Sequence, residues 1–231
     1  MFTLDQVVPW GRSFAEYQQL FALTPADLER RILGCGDGPA AFNAEATRRG
    51  GRVVSCDPLY AFSRTDIETR IAATCDTVLE QTRRHADQFV WGHGIASIDE
   101  LGEVRMRAMR VFLADYDAGR EAGRYVDASL PTLPFADGSF DLALCSHLLF
   151  LYSAQFDEAF HRASVREMCR VAPEVRIFPL LALDGSRSPF VDACVADARA
   201  AGVEAEMVRV PYEFQRGGNE MLRLRRGAAA A

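Results

Sequence analysis

A glycine loop set between two short apolar segments is the feature that most constrains the fold of this chain. Residues 31–34 (RILG) predict a buried strand that enters the loop GCGDGP at 34–39. A helical pattern over 39–49 ends at the glycine pair 50–51, and residues 52–56 (RVVSC) predict a second strand. Strand, glycine loop, helix and strand in such a short span predict a βαβ unit at the start of a parallel sheet.

Alternating strand and helix patterns continue along the chain and close with a β-rich segment. The predicted strands are 124–128, 140–146 and 174–179, the predicted helices are 14–28, 154–171 and 189–201, and the β-rich runs are 205–214 and 220–225. The turn signal QRGGN at 215–219 predicts that the last two runs form a hairpin. The predicted fold class is therefore α/β: a Rossmann-like doubly wound sheet, mostly parallel, with a C-terminal antiparallel hairpin.

The connection between the second and third predicted strands is far longer than one crossover helix needs. It is helical in pattern, and Ser97 with Glu100 has the spacing of a capping box. We interpret 63–123 as a helical crossover and insert within a single domain of residues 1–231. Connections that leave the carboxyl ends of strands flank the ligand crevice, so this insert is a candidate lid. A purely structural packing role is the open alternative.

The charge composition excludes several function classes. All 26 basic residues are arginine, and the absence of lysine excludes pyridoxal-phosphate Schiff bases, Walker A loops and the kinase strand lysine. A net charge of −6 gives no general basic footprint for nucleic acid, so nucleic acid is an unlikely partner and a small molecule is favoured.

Cysteine spacing and hydropathy bear on metal and compartment. The six cysteines include no CxxC pair, and His85 and His93 lie within the insert with no pattern of convergent ligands, so we predict no metal site. No basic region followed by an apolar run opens the sequence, and no apolar stretch reaches 18 residues. We therefore expect no membrane span and a cytoplasmic protein with reduced thiols.

Three further features follow the glycine loop at consistent distances. Asp57 ends the second strand, where a carboxylate can accept both ribose hydroxyls of an adenosine. The triplet Asp127-Ala128-Ser129 ends the third strand, where an adenine amino group could be met. The segment LPFADGSFDLAL at 133–144 then runs into the fourth strand. Pro39 stands where the dinucleotide fingerprint needs its third glycine, which disfavours a nicotinamide oxidoreductase.

Together these features resemble the class I S-adenosylmethionine-dependent methyltransferases, in particular the small-molecule branch with the LPF-x-DxSFD signature. The resemblance runs from residue 31 to about 151 and implies S-adenosyl-L-methionine as the cofactor. It places Gly34, Gly36 and Gly38 against the methionine portion, Asp57 on the ribose, Leu59 on the adenine face, Asp127 and the Ala128 amide at the adenine edge, and Ser146 and His147 towards the sulfonium and the substrate.

Two positions depart from that family's pattern. Ile32 stands where the family usually has an acidic residue, two positions before the first glycine, so the cofactor's amino group needs another partner. The family's adenine aspartate usually stands four residues before the LPF leucine. That position is Ser129 here, so either Ser129 or Asp127 could make the contact.

Three side chains are candidates for chemistry beyond these motifs. Arg12 could fork the cofactor carboxylate, with Trp10 and Tyr17 closing over it, or it could be a solvated arginine. His147 could act as general base with a pKa near neutrality, or it could be a packing histidine. Arg216, in the hairpin turn, could contact an anionic substrate or remain solvated.

The sequence thus predicts a methyltransferase that acts on an unidentified small molecule. RNA methylation is an alternative that needs a contiguous arginine face. A non-catalytic S-adenosylmethionine-binding protein is the other alternative, motivated by Ile32. The acceptor atom and the oligomeric state are not indicated by any motif.

Overall fold

The predicted βαβ unit forms the centre of a seven-stranded sheet in the computed structural model, which describes residues 7–92 and 94–227. The strand order is β3-β2-β1-β4-β5-β7-β6. The strands are β1 Arg31–Cys35, β2 Arg52–Cys56, β3 Tyr125–Val126, β4 Leu142–Ser146, β5 Glu174–Phe178, β6 Val203–Arg209 and β7 Glu220–Arg226.

Five strands run parallel and one hairpin closes the sheet. β1 pairs in parallel with β2 and β4, β2 with β3, and β4 with β5. β7 is antiparallel to both β5 and β6, so β6 has the direction of β1. The predicted fold class is confirmed, hairpin included. Because β6 ends at the same edge as the parallel strands, the β6–β7 connection lies at the carboxyl edge of the sheet.

Helices cover both faces of the sheet, as strands that are apolar on both sides require. They are α1 Phe14–Leu20, α2 Pro25–Leu28, α3 Phe42–Arg48, α4 Arg64–Arg84, α5 Ile98–Glu121, α6 Glu158–Val171 and α7 Val191–Ala200. Successive residues of β1 point to opposite faces. Ile32 packs into a cluster with α1 and α3, while Leu33 packs into a cluster with α6 and α7. Within the described ranges, none of these helices combines the length and the apolarity that crossing a bilayer requires.

Several predicted boundaries are wrong in extent, and caps explain the differences. The predicted helix 14–28 is two helices, because Thr24 caps α2 and Pro25 opens it. α6 begins at Glu158 rather than at 154 because the Asp157 carboxylate accepts the N–H of Phe160. The third strand keeps only two residues, so Asp127 lies just beyond its end.

The insert consists of the predicted helix pair. α5 packs against α3 and β3 and thus serves as the crossover, while α4 packs on α5. Tyr60, Ile67, Phe112 and Tyr116 belong to the apolar cluster between them. Ser97 caps α5 as predicted, because its hydroxyl accepts the N–H of Glu100. The Glu100 carboxylate accepts from the Ala96 N–H, one residue earlier than a capping box predicts.

A buried ion-pair cluster joins α2 to the middle of the sheet. Arg176 on β5 is 4% exposed, and its guanidinium donates to Glu174 (Nε to Oε1, 2.9 Å) and to Asp27 (Nη2 to Oδ1, 3.0 Å). The same guanidinium donates to the Phe21 carbonyl at 2.9 Å. Arg30 also pairs with both carboxylates, and Arg223 pairs with Glu174, so Arg176 is the most buried of three cations in this cluster.

Replacing that cation is expected to be far more destabilising than breaking an exposed pair. Arg176→Met removes the most buried cation of the cluster, leaves Asp27 and Glu174 to more exposed arginines, and should lower the free energy of unfolding by up to about 3–5 kcal/mol. The control is Arg31→Met, which removes an exposed pair with Asp141 (2.7 Å) and should lower it by at most about 1 kcal/mol. Urea denaturation of both variants measures the difference. Equal losses would contradict this account of the cluster.

Candidate active site

A cavity of about 120 Å³ lies at the carboxyl edge of the sheet, where β1 and β4 end. Four parts of the chain line it: the glycine loop, the segment before α1, the residues that follow β4 and β5, and the insert with the hairpin connection. The lining includes Arg12, Tyr17, Gly36, Asp37, Gly38, Asp57, Ser146, His147, Tyr152, Phe178 and Phe214. Five of the predicted cofactor or catalytic residues thus share this cavity with Arg12.

Each of the three loop positions requires glycine, but for different structural reasons. Gly36 (φ +66°) and Gly38 (φ +51°) have the left-handed conformation that glycine adopts without strain. A side chain at Gly36 would also lie 2.2 Å from Leu148. Gly34 lies within β1, just before the turn of the loop. A Cβ at this position would lie 1.8 Å from the Asp37 carboxylate and would overlap it. The first glycine therefore makes room for an acidic side chain of the loop itself.

Asp57 holds the loop in this shape. Its Oδ2 accepts the N–H of Gly38 at 2.9 Å, and its Oδ1 accepts the N–H of Leu59 at 2.8 Å. Burial, with the charge of Asp127 added, raises the pKa of Asp57, although the two N–H groups oppose this shift. Each carboxylate oxygen has a second lone pair, so both can still accept a hydroxyl proton from a ligand.

Asp37 is a site residue that the sequence reasoning missed. Its carboxylate is buried and accepts hydrogen bonds from the Tyr17 hydroxyl (2.8 Å) and the Ser55 hydroxyl (2.6 Å). Burial, with the charge of Asp57 added, raises the pKa of Asp37 to about 6. Its place between two glycines of the loop was the available signal, and a perturbed carboxyl in a cavity is typical of functional sites.

The segment that carries Arg12 is fixed against the glycine loop. The Ala41 N–H donates to the Arg12 carbonyl at 2.9 Å, and a Cβ at Gly11 would lie 2.1 Å from the Pro39 carbonyl oxygen. The Arg12 guanidinium donates to the Trp10 carbonyl, while its buried Nε has no acceptor within residues 7–92 and 94–227. Burial, then the charge of Arg105, lowers the pKa of Arg12 to about 10. This guanidinium is a cation that still has donor capacity for a ligand.

A second buried arginine, also missed, lies behind it. Arg105 on α5 is fully buried and donates to Glu16 (Nη1 to Oε2, 2.6 Å), which also accepts from Tyr212 at 3.1 Å. Burial would raise the pKa of Glu16, but the charges of Arg105 and Arg12 outweigh it and lower that pKa. The signal was an arginine at a core position of α5, four residues after Leu101 and four before Met109. The Glu16 carboxylate therefore pairs with Arg105 and also stabilises the charge of the nearby Arg12.

Ser146 and His147 follow from the end of β4, as predicted. The Ser146 hydroxyl lies 2.9 Å from Nδ1 of His147, and the imidazole packs edge-on against Phe178 at 5.3 Å. His147 has φ +53°, an uncommon conformation for a residue with a side chain and one that clusters at functional sites. The expected pKa near neutrality is wrong: burial, then the charges of Arg12 and Arg105, lowers the pKa of His147 well below its usual range.

The predicted adenine-binding residues lie beyond Asp57, outside the cavity lining. Leu59 is half-buried against the cluster of the insert, and Ala128 packs partly against the α6–α7 side of the core. Asp127 and Ser129 are exposed, and Ser129 forms an isolated bridge with Thr132. The charge of Asp127 contributes to the raised pKa of Asp57, so the two carboxylates are within electrostatic range of each other.

The insert and the hairpin connection meet across the mouth of the cavity. The Val90 N–H donates to the Phe214 carbonyl at 2.8 Å, and the Arg216 N–H donates to the Gln88 carbonyl at 2.8 Å. The rings of Phe89 and Phe214 stack at 4.9 Å, and both line the cavity. The cavity of about 120 Å³ is smaller than the roughly 300 Å³ at which ligand pockets begin, so a large ligand requires part of its wall to move.

Arg216 does not face the cavity as an anion receptor. Its guanidinium donates to the carbonyls of Asp87 (3.2 Å) and Phe89 (3.3 Å) in the insert. Its role in this structure is to join the two sides of the mouth. His85 and Trp91 also belong to this part of the insert, where the Trp91 indole N–H donates to the Ala86 carbonyl at 2.9 Å. His93 lies outside the described residues.

One known protein is similar in sequence to almost the whole length of this chain. No family model matches the sequence. The uncharacterized protein MJ0045 of Methanocaldococcus jannaschii is 31% identical over 224 residues, which are 96% of this chain and 98% of that protein. The chain belongs to the MJ0045 family. The relative's name specifies no activity, so membership of the MJ0045 family leaves the function open.

Solved structures similar to this member of the MJ0045 family include methyltransferases at low sequence identity. The N-methyltransferase NodS from Bradyrhizobium japonicum WM9, in complex with S-adenosyl-L-homocysteine, is 14% identical (TM-score 0.48; 93% of this chain and 87% of that one). The mitomycin 7-O-methyltransferase MmcR is 12% identical (TM-score 0.49; 93% of this chain). This chain spans about half of MmcR, 54% of its length. The magnesium protoporphyrin IX methyltransferase ChlM from Synechocystis PCC 6803, with bound SAM, is 9% identical (TM-score 0.45; 87% and 73%).

The raised pKa of Asp37 predicts a stability effect of defined sign. Its pKa is higher in the folded protein (about 6) than the ordinary value of about 3.9, so folding is favoured by this group at low pH, and that contribution is lost as the pH rises through 6. Asp37→Asn removes the titration. Relative to the wild type, the variant should gain up to about 3 kcal/mol of unfolding free energy between pH 4 and pH 8.

Urea denaturation at several pH values measures this difference. Asn can still accept from the Tyr17 hydroxyl and donate to the Ser55 hydroxyl, so the packing is preserved. The control is Asp117→Asn, at an exposed carboxylate on α5. A stability difference for Asp37→Asn that stays constant from pH 4 to pH 8 would contradict a raised pKa.

Proposed function

We propose that this protein is an S-adenosyl-L-methionine-dependent methyltransferase that acts on a small molecule. The observation that carries the proposal is the arrangement of Asp37, Asp57 and Arg12 around one glycine loop in one cavity. The cofactor has one carboxylate, one ammonium group and a ribose diol. Each of the three charged side chains has a complementary group on that molecule.

The ribose end of the cofactor would lie at Asp57. Both carboxylate oxygens already fix the loop through the Gly38 and Leu59 N–H groups, and both keep a lone pair for a hydroxyl. The adenine ring would continue past Leu59 towards Asp127 and Ser129. The adenine contacts with Asp127 and Ser129 would thus lie beyond the ends of β2 and β3.

The amino-acid end would lie between Asp37 and Arg12. Asp37 supplies the carboxylate for the ammonium group, the role for which Ile32 has no polar atom. The buried Arg12 Nε, with no acceptor in the described part of the chain, has the donor that a carboxylate needs. The Tyr17 hydroxyl donates to Asp37, and the charge of Arg12 lowers the pKa of Tyr17 against the larger effect of burial, so both charges are within electrostatic range of Tyr17. The cavity therefore fits the cofactor's amino-acid group by charge.

When bound, S-adenosylmethionine supplies the reactive methyl group on its sulfonium. The protein's task is to align the acceptor and exclude water. His147 is neutral at physiological pH, because the pKa of its imidazole is well below the usual range, so it is a weak base. We assign His147 and Ser146 to positioning the acceptor at the end of β4 rather than to strong general-base catalysis. The proposal needs no metal ion.

Removal of the Asp57 charge is expected to weaken cofactor binding. Calorimetric titration of the wild type with S-adenosyl-L-homocysteine should show binding, and Asp57→Asn should reduce the affinity at least tenfold, or about 1.4 kcal/mol. Asp137→Asn, at an exposed carboxylate, is the matched control and should bind as the wild type does. The proposal fails if the wild type gives no binding heat, or if Asp57→Asn binds with unchanged affinity.

We further infer that residues 87–91 and 214–216 act as the two sides of a lid over the bound cofactor. Arg216→Ala removes two guanidinium hydrogen bonds from the junction. The dissociation rate of S-adenosyl-L-homocysteine should rise about fivefold, equivalent to one net hydrogen bond of about 1 kcal/mol. Stopped-flow displacement measures the rate, with Arg83→Ala on the exposed side of α4 as control. An unchanged rate would contradict the lid.

A further inference from the structure

The charged side chains of the cavity are confined to its glycine-loop end. Among the described lining residues, the groups charged at neutral pH are Arg12, Asp37 and Asp57. The proposed cofactor uses all three: the diol at Asp57, the ammonium group at Asp37 and the carboxylate at Arg12. With the cofactor bound, no charged lining residue within the described ranges is left to compensate a charge on the methyl acceptor.

Two other arginines near the cavity lie outside its lining, and both donate to protein acceptors, although the buried Nε of Arg105 has no partner in the described ranges. Arg105 is held by Glu16 at 2.6 Å, and Glu16 also accepts from the Tyr212 hydroxyl. The guanidinium of Arg216 is turned to carbonyl oxygens of the insert. To reach either guanidinium, an anionic acceptor would have to displace the buried wall in front of Arg105 or open the junction that Arg216 forms with the insert.

We call the outer half of the cavity the part lined by the insert, Leu151, the end of β5 with the residues after it, and the hairpin connection. Most uncharged polar groups there have partners within the protein. The Thr82 hydroxyl donates to the Val78 carbonyl at 2.8 Å. The Gln215 amide donates to the carbonyls of Ala182 (2.9 Å) and Leu183 (3.2 Å). These donor groups already form hydrogen bonds within the protein. A polar acceptor molecule would therefore lose its hydrogen bonds to water and gain few in return.

The remaining wall of the outer half is apolar and rich in rings. It includes Val78, Phe89, Leu151, Phe178, Leu183 and Phe214. Phe89 and Phe214 form a stacked pair at 4.9 Å, and Phe178 lies edge-on to His147 at 5.3 Å. Aromatic walls favour a flat ring that can stack or meet them edge to face.

We propose that the methyl acceptor is an uncharged, flat, ring-containing small molecule that carries one polar group, and that this group meets His147 and Tyr152 while the ring lies between the insert and the hairpin connection. The inference rests on the proposed function, because the charged residues are assigned to the cofactor. His147 and Tyr152 are positioned for this contact, since both line the cavity next to the end of β4.

Three naphthalene probes of one shape test the inference: 2-naphthylmethanol (neutral), 2-naphthoate (anionic) and 2-naphthylmethylammonium (cationic). Binding is measured by calorimetry in the presence of saturating S-adenosyl-L-homocysteine and in its absence. With the homocysteine compound bound, the alcohol is expected to bind at least tenfold more tightly than either ion. Tighter binding of either ion, or no binding of the alcohol, would overturn the inference.

The two titrations also separate this inference from the proposed function. Without S-adenosyl-L-homocysteine, Arg12 is unoccupied by a ligand carboxylate, so naphthoate is expected to bind there and to be displaced when the homocysteine compound is added. If S-adenosyl-L-homocysteine does not bind at all, the proposed function fails. The preference for the alcohol in the outer half is then judged from the protein alone, where competition by naphthoate for the alcohol's site would overturn it.

A charge placed in the outer wall should reverse the preference. Leu183 is half-buried in the loop after β5, so a long side chain there can be accommodated. Leu183→Arg should increase the affinity for 2-naphthoate at least tenfold in the presence of S-adenosyl-L-homocysteine, while Leu183→Met keeps the preference of the wild type. Unchanged naphthoate binding by Leu183→Arg, with the fold verified by thermal denaturation, would contradict the location of the acceptor.

Discussion

The burial of one carboxylate inside the glycine loop determines how the rest of the site is built. Asp37 occupies the space that a side chain at Gly34 would need, and hydroxyls of α1 and β2 hold it there. Its neighbour Gly38 is in turn fixed by Asp57. The loop, the first helix and the second strand are thus connected through two acidic groups. This arrangement destabilises the empty protein at neutral pH and prepares a negative site for a cation.

The two ends of the site follow from that connection. The segment before α1 lies on the glycine loop through Gly11 and the Arg12 carbonyl, so the Arg12 guanidinium enters the same cavity as Asp37. Glu16, on the helix that also carries Tyr17, holds Arg105 and lies near Arg12. An opposed anion and cation near one loop is an arrangement suited to an amino-acid group. Both buried cations, Arg12 and Arg105, are arginines, as every basic residue of this chain is. A guanidinium keeps its charge on burial more readily than a lysine ammonium group does.

Sequence reasoning predicted the framework because glycine, proline and strand patterns act locally. The loop, the parallel strands, the hairpin and the helix pair of the insert all follow from such signals, and Asp57 follows from its place at a strand end. Asp37 and Arg105 were missed because their importance depends on burial by distant residues: Tyr17 and Ser55 for Asp37, Glu16 and Tyr212 for Arg105. For Arg216 the sequence offered a substrate contact or a solvated turn, because no local pattern predicts that the insert reaches the hairpin connection.

On the proposed function, Asp37 would take the place of the acid that class I methyltransferases usually have two residues before the first glycine, and this bears on the non-catalytic alternative. That alternative was motivated by Ile32, and Ile32 instead belongs to the apolar cluster beneath α1. A carboxylate reaches the cavity from the loop, three residues after Gly34, so the amino group of a bound cofactor would still have an acidic partner. On the proposed function, the departure from the motif is a change in the position of the acid rather than its loss.

Proton release on cofactor binding tests the central claim most directly. Near pH 6 the Asp37 carboxyl is about half protonated, and a bound ammonium group should expel the proton. Calorimetric titration with S-adenosyl-L-homocysteine in two buffers of different ionisation enthalpy should report release of up to about half a proton per site in the wild type and none from this position in Asp37→Asn. Equal proton release by the wild type and by Asp37→Asn would contradict the claim that Asp37 receives the cofactor's amino group.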